Sequence, residues 1–232
     1  MRCLFALILS FIFVSCQPNA KGILKSSWNA HRTGIAGALD ALDYTKTTQV
    51  YDSLGQVSKT LQQNHKIFWN PFVYEIRTPG DTTLQVFRQR ENAVEVEQLG
   101  EIIQDSVLIQ KAQNALATAY FVFWQPFKLD DPKAEFSYLG KEVLPNEEEV
   151  HVVEVRYPKD PSTDEWAFFF DTESYLNLGY RVRYNGKLSL IINESFTDRE
   201  DLPILVYKRS SYLVLESMNT LRLQADYEYK IN

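Results

Sequence analysis

Hydrophobic and polar residues alternate with a period of two along much of the C-terminal half of the chain, which is typical of β-strands with one buried face. The alternation is strictest at 221–230. Asn185-Gly186 separates two such segments and predicts a type I′ hairpin. The pattern predicts strands at 150–157, 166–171, 177–184, 187–194, 204–216 and 221–230.

The N-terminal half shows the same period of two after residue 43, interrupted by short turns. Residues 52–55 (DSLG) and 79–81 (PGD) have the Asp, Gly and Pro content of tight turns. The pattern therefore predicts polar-rich strands on both sides of the first turn. It predicts further strands at 73–78, 82–88 and 93–98.

Two segments instead follow the spacing of helices. In the first, Ser26 or Ser27 is the predicted cap and apolar residues recur over 28–42 at intervals of three, four and seven. The second covers 106–123 and has one apolar stripe. Its predicted cap is Asp105 or Ser106. Pro126 is predicted to end this helix.

The order of these elements is a helix, several strands, a second helix and more strands. This order excludes a parallel sheet, which needs a helix between most of its strands. About ten strands and two helices predict an α+β fold: a large curved antiparallel sheet, an incomplete β-barrel, whose concave face is covered by the helices. Residues 26–232 are predicted to form this half-barrel as a single domain with an apolar interior.

The first residues predict an export signal. Arg2 precedes an uncharged apolar run that is too short to span a bilayer, and a small residue stands just before Cys16. Residues 1–15 are predicted to be removed, and residues 16–25 to form the new N-terminus and a tether. Cys3 leaves with the signal, so the mature chain has one cysteine and no internal disulfide. The alternative is an ordinary secretory signal that happens to contain a cysteine.

The formal net charge is −6, and the chain has no long basic run. Nucleic-acid binders need a footprint of lysine and arginine, so a nucleic-acid partner is excluded. The charge also argues against electrostatic attraction to anionic lipid.

Several motifs together resemble a bacterial lipoprotein family of unknown function: FVSC at 13–16, which resembles a lipobox, FWQPFKL at 123–129 and FDTE at 170–173. The architecture is similar to that of the outer-membrane lipoprotein carriers LolA and LolB, which are incomplete β-barrels closed by helices. The resemblance implies lipid attachment at Cys16. Residue 17 is Gln rather than the Asp that marks inner-membrane retention, which implies an outer-membrane anchor. Residues 17–20 lack an acidic run, and we expect the protein to face the periplasm.

Two aromatic-proline motifs, FWNPF at 68–72 and FWQPF at 123–127, recur in the chain, but their flanking residues do not align, which argues against a duplication. One interpretation is core packing, to which large aromatic rings contribute strongly. The other is an apolar cavity for a lipid or another hydrophobic ligand. The predicted lining residues of that cavity are Phe68, Trp69, Phe72, Phe123, Trp124 and Phe127.

The sequence contains no G-x-S-x-G nucleophile motif and no glycine-rich phosphate loop. His31, His65 and His151 are far apart in the sequence, outside any HExxH or Cys-x-x-Cys motif. The carboxylates at 130–131 and 147–149 lie in Pro-containing loops and are expected to be solvated. The sequence therefore predicts no enzymatic activity, no cofactor and no metal.

These observations favour a membrane-anchored, periplasm-facing lipoprotein that binds or carries a lipid or an acyl chain by burying apolar surface. The alternative is a non-catalytic envelope scaffold, in which a filled barrel core supports binding of a protein partner through the sheet edge.

Overall fold

The structure is a computed structural model that describes residues 19–80, 84–158, 164–184, 186–197, 199–218 and 220–232. The helices in these residues are α1 (Ala20–Ala30), α2 (Thr33–Ala36) and α3 (Ser106–Phe123), and a 3-10 turn covers Phe127–Leu129. The strands are β1 (Ala41–Tyr51), β2 (Val57–Trp69), β3 (Phe72–Pro79), β4 (Leu84–Arg90), β5 (Ala93–Gln98), β6 (Glu101–Ile102), β7 (Glu135–Val143), β8 (Glu149–Arg156), β9 (Glu165–Asp171), β10 (Asn177–Tyr184), β11 (Lys187–Phe196), β12 (Val206–Val214) and β13 (Leu221–Ile231).

All of these strands form one curved antiparallel sheet in the order β6-β5-β4-β3-β2-β1-β13-β12-β11-β10-β9-β8-β7. In the described residues β6 and β7, at its two ends, do not pair with each other, so the sheet is open. The predicted α+β fold with a curved antiparallel sheet is confirmed. The described residues contain thirteen strands rather than about ten.

Two of the strands were not predicted. β6 has only two residues, too few for a period of two to be visible. β7 alternates between exposed and half-buried residues, so its hydrophobic contrast is weak. It is also interrupted by Gly140, which has a φ of 106° beside a shift in register with β8.

The first predicted helix is wrong in its start and in its length. α1 begins at Ala20 because the side chain of Asn19 accepts a hydrogen bond from the Gly22 amide at 2.8 Å. Ser27 is a fully buried helix residue and not a cap. Residues 20–25, predicted to be part of a tether, are helical because Ile23 and Leu24 pack into the core.

The helical segment also stops earlier than predicted. Arg32 has a left-handed φ of 57°, which separates α1 from the single turn of α2. Leu42, the last apolar residue in the predicted helical spacing, belongs to β1 and is buried in the sheet.

The second predicted helix is confirmed. Asp105 caps α3 by accepting a hydrogen bond from the Leu108 amide at 2.8 Å. The helix ends at Phe123, three residues before Pro126, which has no amide hydrogen to donate.

The helices cover different parts of the concave face. Ala112 and Leu116 of α3 are fully buried in a cluster with residues of β1 to β5. Ile23 and Leu24 of α1 are buried in another cluster, which includes Phe168 and Phe170 of β9. The concave side therefore has two cores.

The convex face of the C-terminal strands is also apolar. Val152, Phe169 and Leu190, from β8, β9 and β11, are fully buried there in a third cluster. Burial on both faces explains why these strands have long hydrophobic runs such as WAFFF.

The predicted turns lie only partly within the described residues. At the first, the amides of Leu54 and Gln56 donate to the Asp52 side chain, as predicted. The turns at 79–81 and 185–186 include residues 81 and 185, which lie outside the described residues. Their flanking strands pair as hairpins, since Pro79 faces Leu84 and residue 184 faces residue 187.

Cys16 and the predicted signal at 1–15 also lie outside the described residues. Within the part of the chain that the structure describes, no helix has the length and hydropathy to span a membrane.

Candidate ligand-binding site

The two aromatic-proline motifs meet on one side of α3. Trp69 ends β2 and Trp124 follows α3, and their rings contact edge to face with centroids 5.2 Å apart. Phe127, in the 3-10 turn, lies 5.8 Å from the Trp124 ring. Three of the six predicted residues are therefore neighbours, contributed by both motifs.

These three rings border a shallow hollow of about 350 Å³, which we call the aromatic groove. The indole nitrogen of Trp124 is buried there without a hydrogen-bond partner. Lys128 lies over the Tyr120 ring at 4.1 Å, and burial lowers the pKa of this lysine. The lining residues of the aromatic groove are Thr33, Ala36, Gly37, Leu39, Trp69, Tyr120, Trp124, Phe127 and Lys128.

The other three predicted residues lie elsewhere. Phe123 is 1% exposed and stacks on Tyr44 with ring centroids 4.0 Å apart. Phe72 packs edge to face on Tyr120 at 5.7 Å. Phe68 points away from the helices, is 39% exposed, and has Lys66 over its ring. The structure therefore does not bring the six residues into one hollow.

A deeper hollow of about 590 Å³ lies on the other side of α3, which we call the concave cavity. Small residues of α3 form one wall, and the inner faces of β1 to β3 and β10 to β13 form the rest. None of the six predicted residues is among the described residues that line it. Its lining residues are Tyr44, Lys46, Gln63, His65, Ile76, Asn114, Ala115, Thr118, Ala119, Val122, Tyr180, Val182, Ser189, Ile191, Arg209, Ser211, Tyr227 and Tyr229.

The most unusual residue of this cavity is Arg209, which is only 2% exposed. Its Nη2 donates to the carbonyl of Val122 near the end of α3 at 3.3 Å. The guanidinium also lies 5.1 Å from the centroid of the Tyr229 ring, an attractive contact between a cation and an aromatic face. Its Nε and Nη1 are buried and have no hydrogen-bond partner.

A network of tyrosines and one histidine forms another wall of the cavity. Nδ1 of His65 and the hydroxyl of Tyr74 are 2.8 Å apart, and the Tyr44 ring stacks on His65 at 4.6 Å. Nε2 of His65 is buried without a partner. Burial and the nearby charge of Lys46 lower the pKa of His65 to about 3, so this side chain is neutral. Burial raises the pKa of Tyr180 to about 12, so its hydroxyl keeps its proton.

The expected apolar interior is therefore only partly correct. The polar groups that were not predicted from the sequence lie on the inner faces of strands. The register of each strand determines which of its side chains point into the cavity. Arg209 points inward because it faces Tyr227 across the β12–β13 pair. One signal was present in the sequence: Lys208 and Arg209 are consecutive, and a strand directs consecutive side chains to opposite faces.

A further hollow, of about 830 Å³, is a different feature. Its walls carry charges of both signs, such as Arg156, Glu135 and Asp164, and two of its residues flank positions 159–163, which are not described. We therefore regard the smaller concave cavity as the better-defined site. Within the described ranges, no group of three His, Cys, Asp or Glu residues is placed to hold a metal ion. Of the carboxylates expected to be solvated, Asp130 and Glu147 to Glu149 are exposed, whereas Asp131 is half-buried. Glu149 belongs to β8 rather than to a loop.

No protein-family model matches the chain, and its sequence has no significant match among the curated proteins. Its fold does match solved structures. One is a domain from Vibrio parahaemolyticus described as an outer membrane lipoprotein-sorting protein, with a TM-score of 0.55, 13% identity and 92% of each chain covered. Another is a DUF1329 family protein from Desulfovibrio piger, with a TM-score of 0.52, 10% identity and coverage of 92% of this chain and 91% of that chain.

At these identities the likeness is one of fold. The chain has a half-barrel similar to that of a lipoprotein-sorting domain. The architecture implied by the resemblance to LolA and LolB is thus confirmed.

Proposed function

We propose that this protein binds and carries a hydrophobic ligand, such as a lipid or an acyl chain, in the concave cavity. The observation that supports this most directly is the cavity itself, since about 590 Å³ lies within the range of roughly 300–1,000 Å³ typical of small-molecule sites. The similarity of fold to a lipoprotein-sorting domain supports a carrier, not an enzyme.

Entry and release would require α3 to move. This helix forms one wall of the cavity through Ala115, Ala119 and Val122. It is fixed to β3, β4 and β5 by its other face, where Leu116 is buried. A shift of α3 across these strands would open the cavity without unpairing the sheet.

We further propose that acyl chains on Cys16 anchor the protein in the outer membrane, facing the periplasm. Each buried methylene contributes roughly 0.8 kcal/mol, so several chains suffice for stable attachment. Cys16→Ser should release the protein from the membrane fraction. Protease resistance of the wild-type protein in intact cells, lost when the outer membrane is opened, would support the periplasmic orientation. A variant that stays membrane-bound would contradict lipidation.

The ligand test is mass spectrometry of the chain from residue 17 onward, which contains every helix and strand that the structure describes, exported to the periplasm. Native and denatured spectra are compared. A stoichiometric lipid that is lost on denaturation would support a carrier. A clean apo mass, with no binding of added lipids, would contradict it.

The second candidate function is an envelope interaction module. It is favoured by β7, an edge strand with an unpaired side whose Leu139 and Val143 are 50% and 68% exposed. An extended partner segment can pair with such an edge. Leu139→Pro should abolish capture of a stoichiometric partner by the wild-type protein. Capture that survives this substitution would place the partner elsewhere.

A further inference from the structure

The concave cavity contains a buried positive charge that no acidic side chain among the described residues neutralises. Arg209 is 2% exposed, yet in the described residues it forms no salt bridge, and two of its nitrogens have no hydrogen-bond partner. Burying a charge without a partner carries a large free-energy cost. A structural role as a cap of α3 accounts for Nη2, which donates to Val122. The Tyr180 hydroxyl is a further polar neighbour of the guanidinium, but it is neutral and does not balance the charge.

A second cation points into the same cavity. Lys46 of β1 is half-buried and lies 5.1 Å from the centroid of the Tyr227 ring. Tyr227 faces Arg209 across β12 and β13, so the two cations flank one tyrosine. No Asp or Glu is among the described residues that line the cavity. In a chain with a net charge of −6, this is a local concentration of positive charge.

The nearby carboxylates are held on the other face of the sheet. Glu194 lies 3.0 Å from Lys208, and the Ser210 hydroxyl is within hydrogen-bond distance of both Glu194 and Asp226. Lys208 and Ser210 are the sequence neighbours of Arg209, so they point to the convex side. Since the described residues that line the cavity include no carboxylate, an anion from outside the chain would supply the counter-charge of Arg209.

Part of the cavity wall suits an aliphatic chain. Ile76 and Ile191 contribute apolar side chains from the sheet, and α3 contributes Ala115, Ala119 and Val122. A site with a cation at one place and apolar side chains along part of its wall fits a ligand with one charged group and one apolar chain.

Resting on the proposed function, we propose that the ligand is a single-chain anionic amphiphile whose carboxylate or phosphate binds Arg209 while its chain lies along α3. Nε and Nη1 lie on different edges of the guanidinium, and each can donate to an oxygen of such a group. A parallel pair of hydrogen bonds forms where the second hydrogen of Nη2 completes one of these edges. The same guanidinium also holds the end of α3. Binding of the head group and docking of α3 are therefore coupled through one side chain.

The experiment is calorimetric titration of the chain from residue 17 onward with oleate and with methyl oleate, below the concentrations at which either aggregates. These probes share the same chain and differ in the charge. We expect oleate to bind more tightly by a factor on the order of ten to a hundred, as for hydrogen bonds to a charged group. Acetate and inorganic phosphate alone should bind far more weakly, and 1-oleoyl-lysophosphatidate distinguishes a phosphate from a carboxylate preference.

Arg209→Met removes the charge and keeps an unbranched side chain. Oleate and methyl oleate should then bind equally, and Arg209→Lys should restore part of the preference. Lys208→Met is the matched control because it removes the neighbouring charge on the convex face, and the preference should persist. Arg209→Met should also unfold at a higher urea concentration than the wild-type protein in the absence of ligand, which verifies that it folds.

The outcomes separate the two proposals. Equal affinity of the wild-type protein for oleate and methyl oleate would overturn the anionic ligand and leave the carrier intact. A preference for oleate that persists in Arg209→Met, or acetate or inorganic phosphate binding as tightly as oleate, would also overturn it. No binding of any amphiphile would overturn the proposed function itself.

Discussion

The concave cavity and the aromatic groove lie on opposite sides of α3 and differ in chemistry. The cavity is about 590 Å³ and contains a buried arginine, a neutral histidine and several tyrosine hydroxyls. The groove is about 350 Å³, more shallow, and bordered by two tryptophans and a phenylalanine. At the cavity, both Arg209 and His65 have buried nitrogens without a hydrogen-bond partner. At the groove, Trp124 is the one described lining residue with such a nitrogen.

This difference shows what the repeated FWxPF pattern does. Both motifs direct a tryptophan to the same side of α3, and the two rings meet although the flanking sequences are unrelated. Binding of a ligand by these rings stays a prediction. The groups most suited to recognising a ligand are isolated residues on strands, such as Arg209 and Lys46, which no motif marks.

The largest effect is expected from a substitution that disrupts the packing beside the cavity. Phe123→Ala removes a ring that is 1% exposed and stacked on Tyr44. We expect a loss of about 3–5 kcal/mol in the free energy of unfolding, as for other buried phenylalanines. Urea denaturation measures it.

Phe68→Ala is the control for this change, since Phe68 belongs to the other motif but is 39% exposed on the convex face. Its loss should be about 1 kcal/mol or less. Equal losses at the two positions would mean that the motifs are equivalent in packing.

The next effect is the pH dependence of His31 and His65, two of the three buried histidines, which lie one beside each hollow. Burial lowers the pKa of His31, which packs against Phe127, to about 4, and that of His65 to about 3. In the unfolded chain both titrate near 6.5, so between pH 6.5 and about 4 the unfolded state binds more protons. The contribution of these histidines to the free energy of unfolding is therefore fully present above pH 6.5 and is lost as the pH decreases. We expect a loss of about 2 kcal/mol for each histidine between pH 7 and pH 5.

Urea denaturation at pH 7, 6 and 5 measures this decrease. His31→Gln should make the decrease in the free energy of unfolding between pH 7 and pH 5 smaller by about 2 kcal/mol, the contribution of one histidine. It also removes the hydrogen bonds that His31 makes with Ile204 and the Asn177 amide, so only the change with pH is compared and not the stability at one pH. An unchanged pH dependence in this variant would contradict a buried neutral His31.

The smallest effect is the coupling between the two motifs across the groove. In a double-mutant cycle of Trp69→Leu and Trp124→Leu, we expect a coupling energy of about 0.5–1.5 kcal/mol, because the rings are edge to face. The cycle of Phe68→Leu with Trp124→Leu should give a value near zero, since Phe68 lies on the convex face. Similar coupling in both cycles would show that it does not come from the ring contact.

Much of the fold could be predicted from the sequence because its signals are local. Alternation with a period of two gave most strands, and Asp105 gave the start of α3. The start of α1 was missed since Ser27 resembles a cap in sequence, while its burial depends on packing against distant strands. β7 was missed because an edge strand with one weakly buried face has little hydrophobic contrast.

The candidate site was harder to predict since it depends on contacts between distant segments. The inward direction of Arg209 follows from its pairing with Tyr227, next to a register shift after Ser211. Which side of α3 each aromatic ring occupies depends on how the helix docks on the sheet. Neither the direction of Arg209 nor the side of α3 on which a ring lies can be read from a short segment of the sequence.

The strand order has a consequence for the route of folding. Strands β1 to β6 form one meander of sequence neighbours, and β7 to β13 form another. Within the described residues, the β1–β13 pair is the one strand pairing that joins the two meanders. At this seam the Asn232 side chain donates to Asp43, 189 residues away. Closing so long a loop costs more entropy than forming either hairpin array, and distant pairings form slowly. The seam should be the last part of the sheet to assemble, and since Lys46 and Tyr227 lie on its two strands, the cavity becomes complete only when folding does.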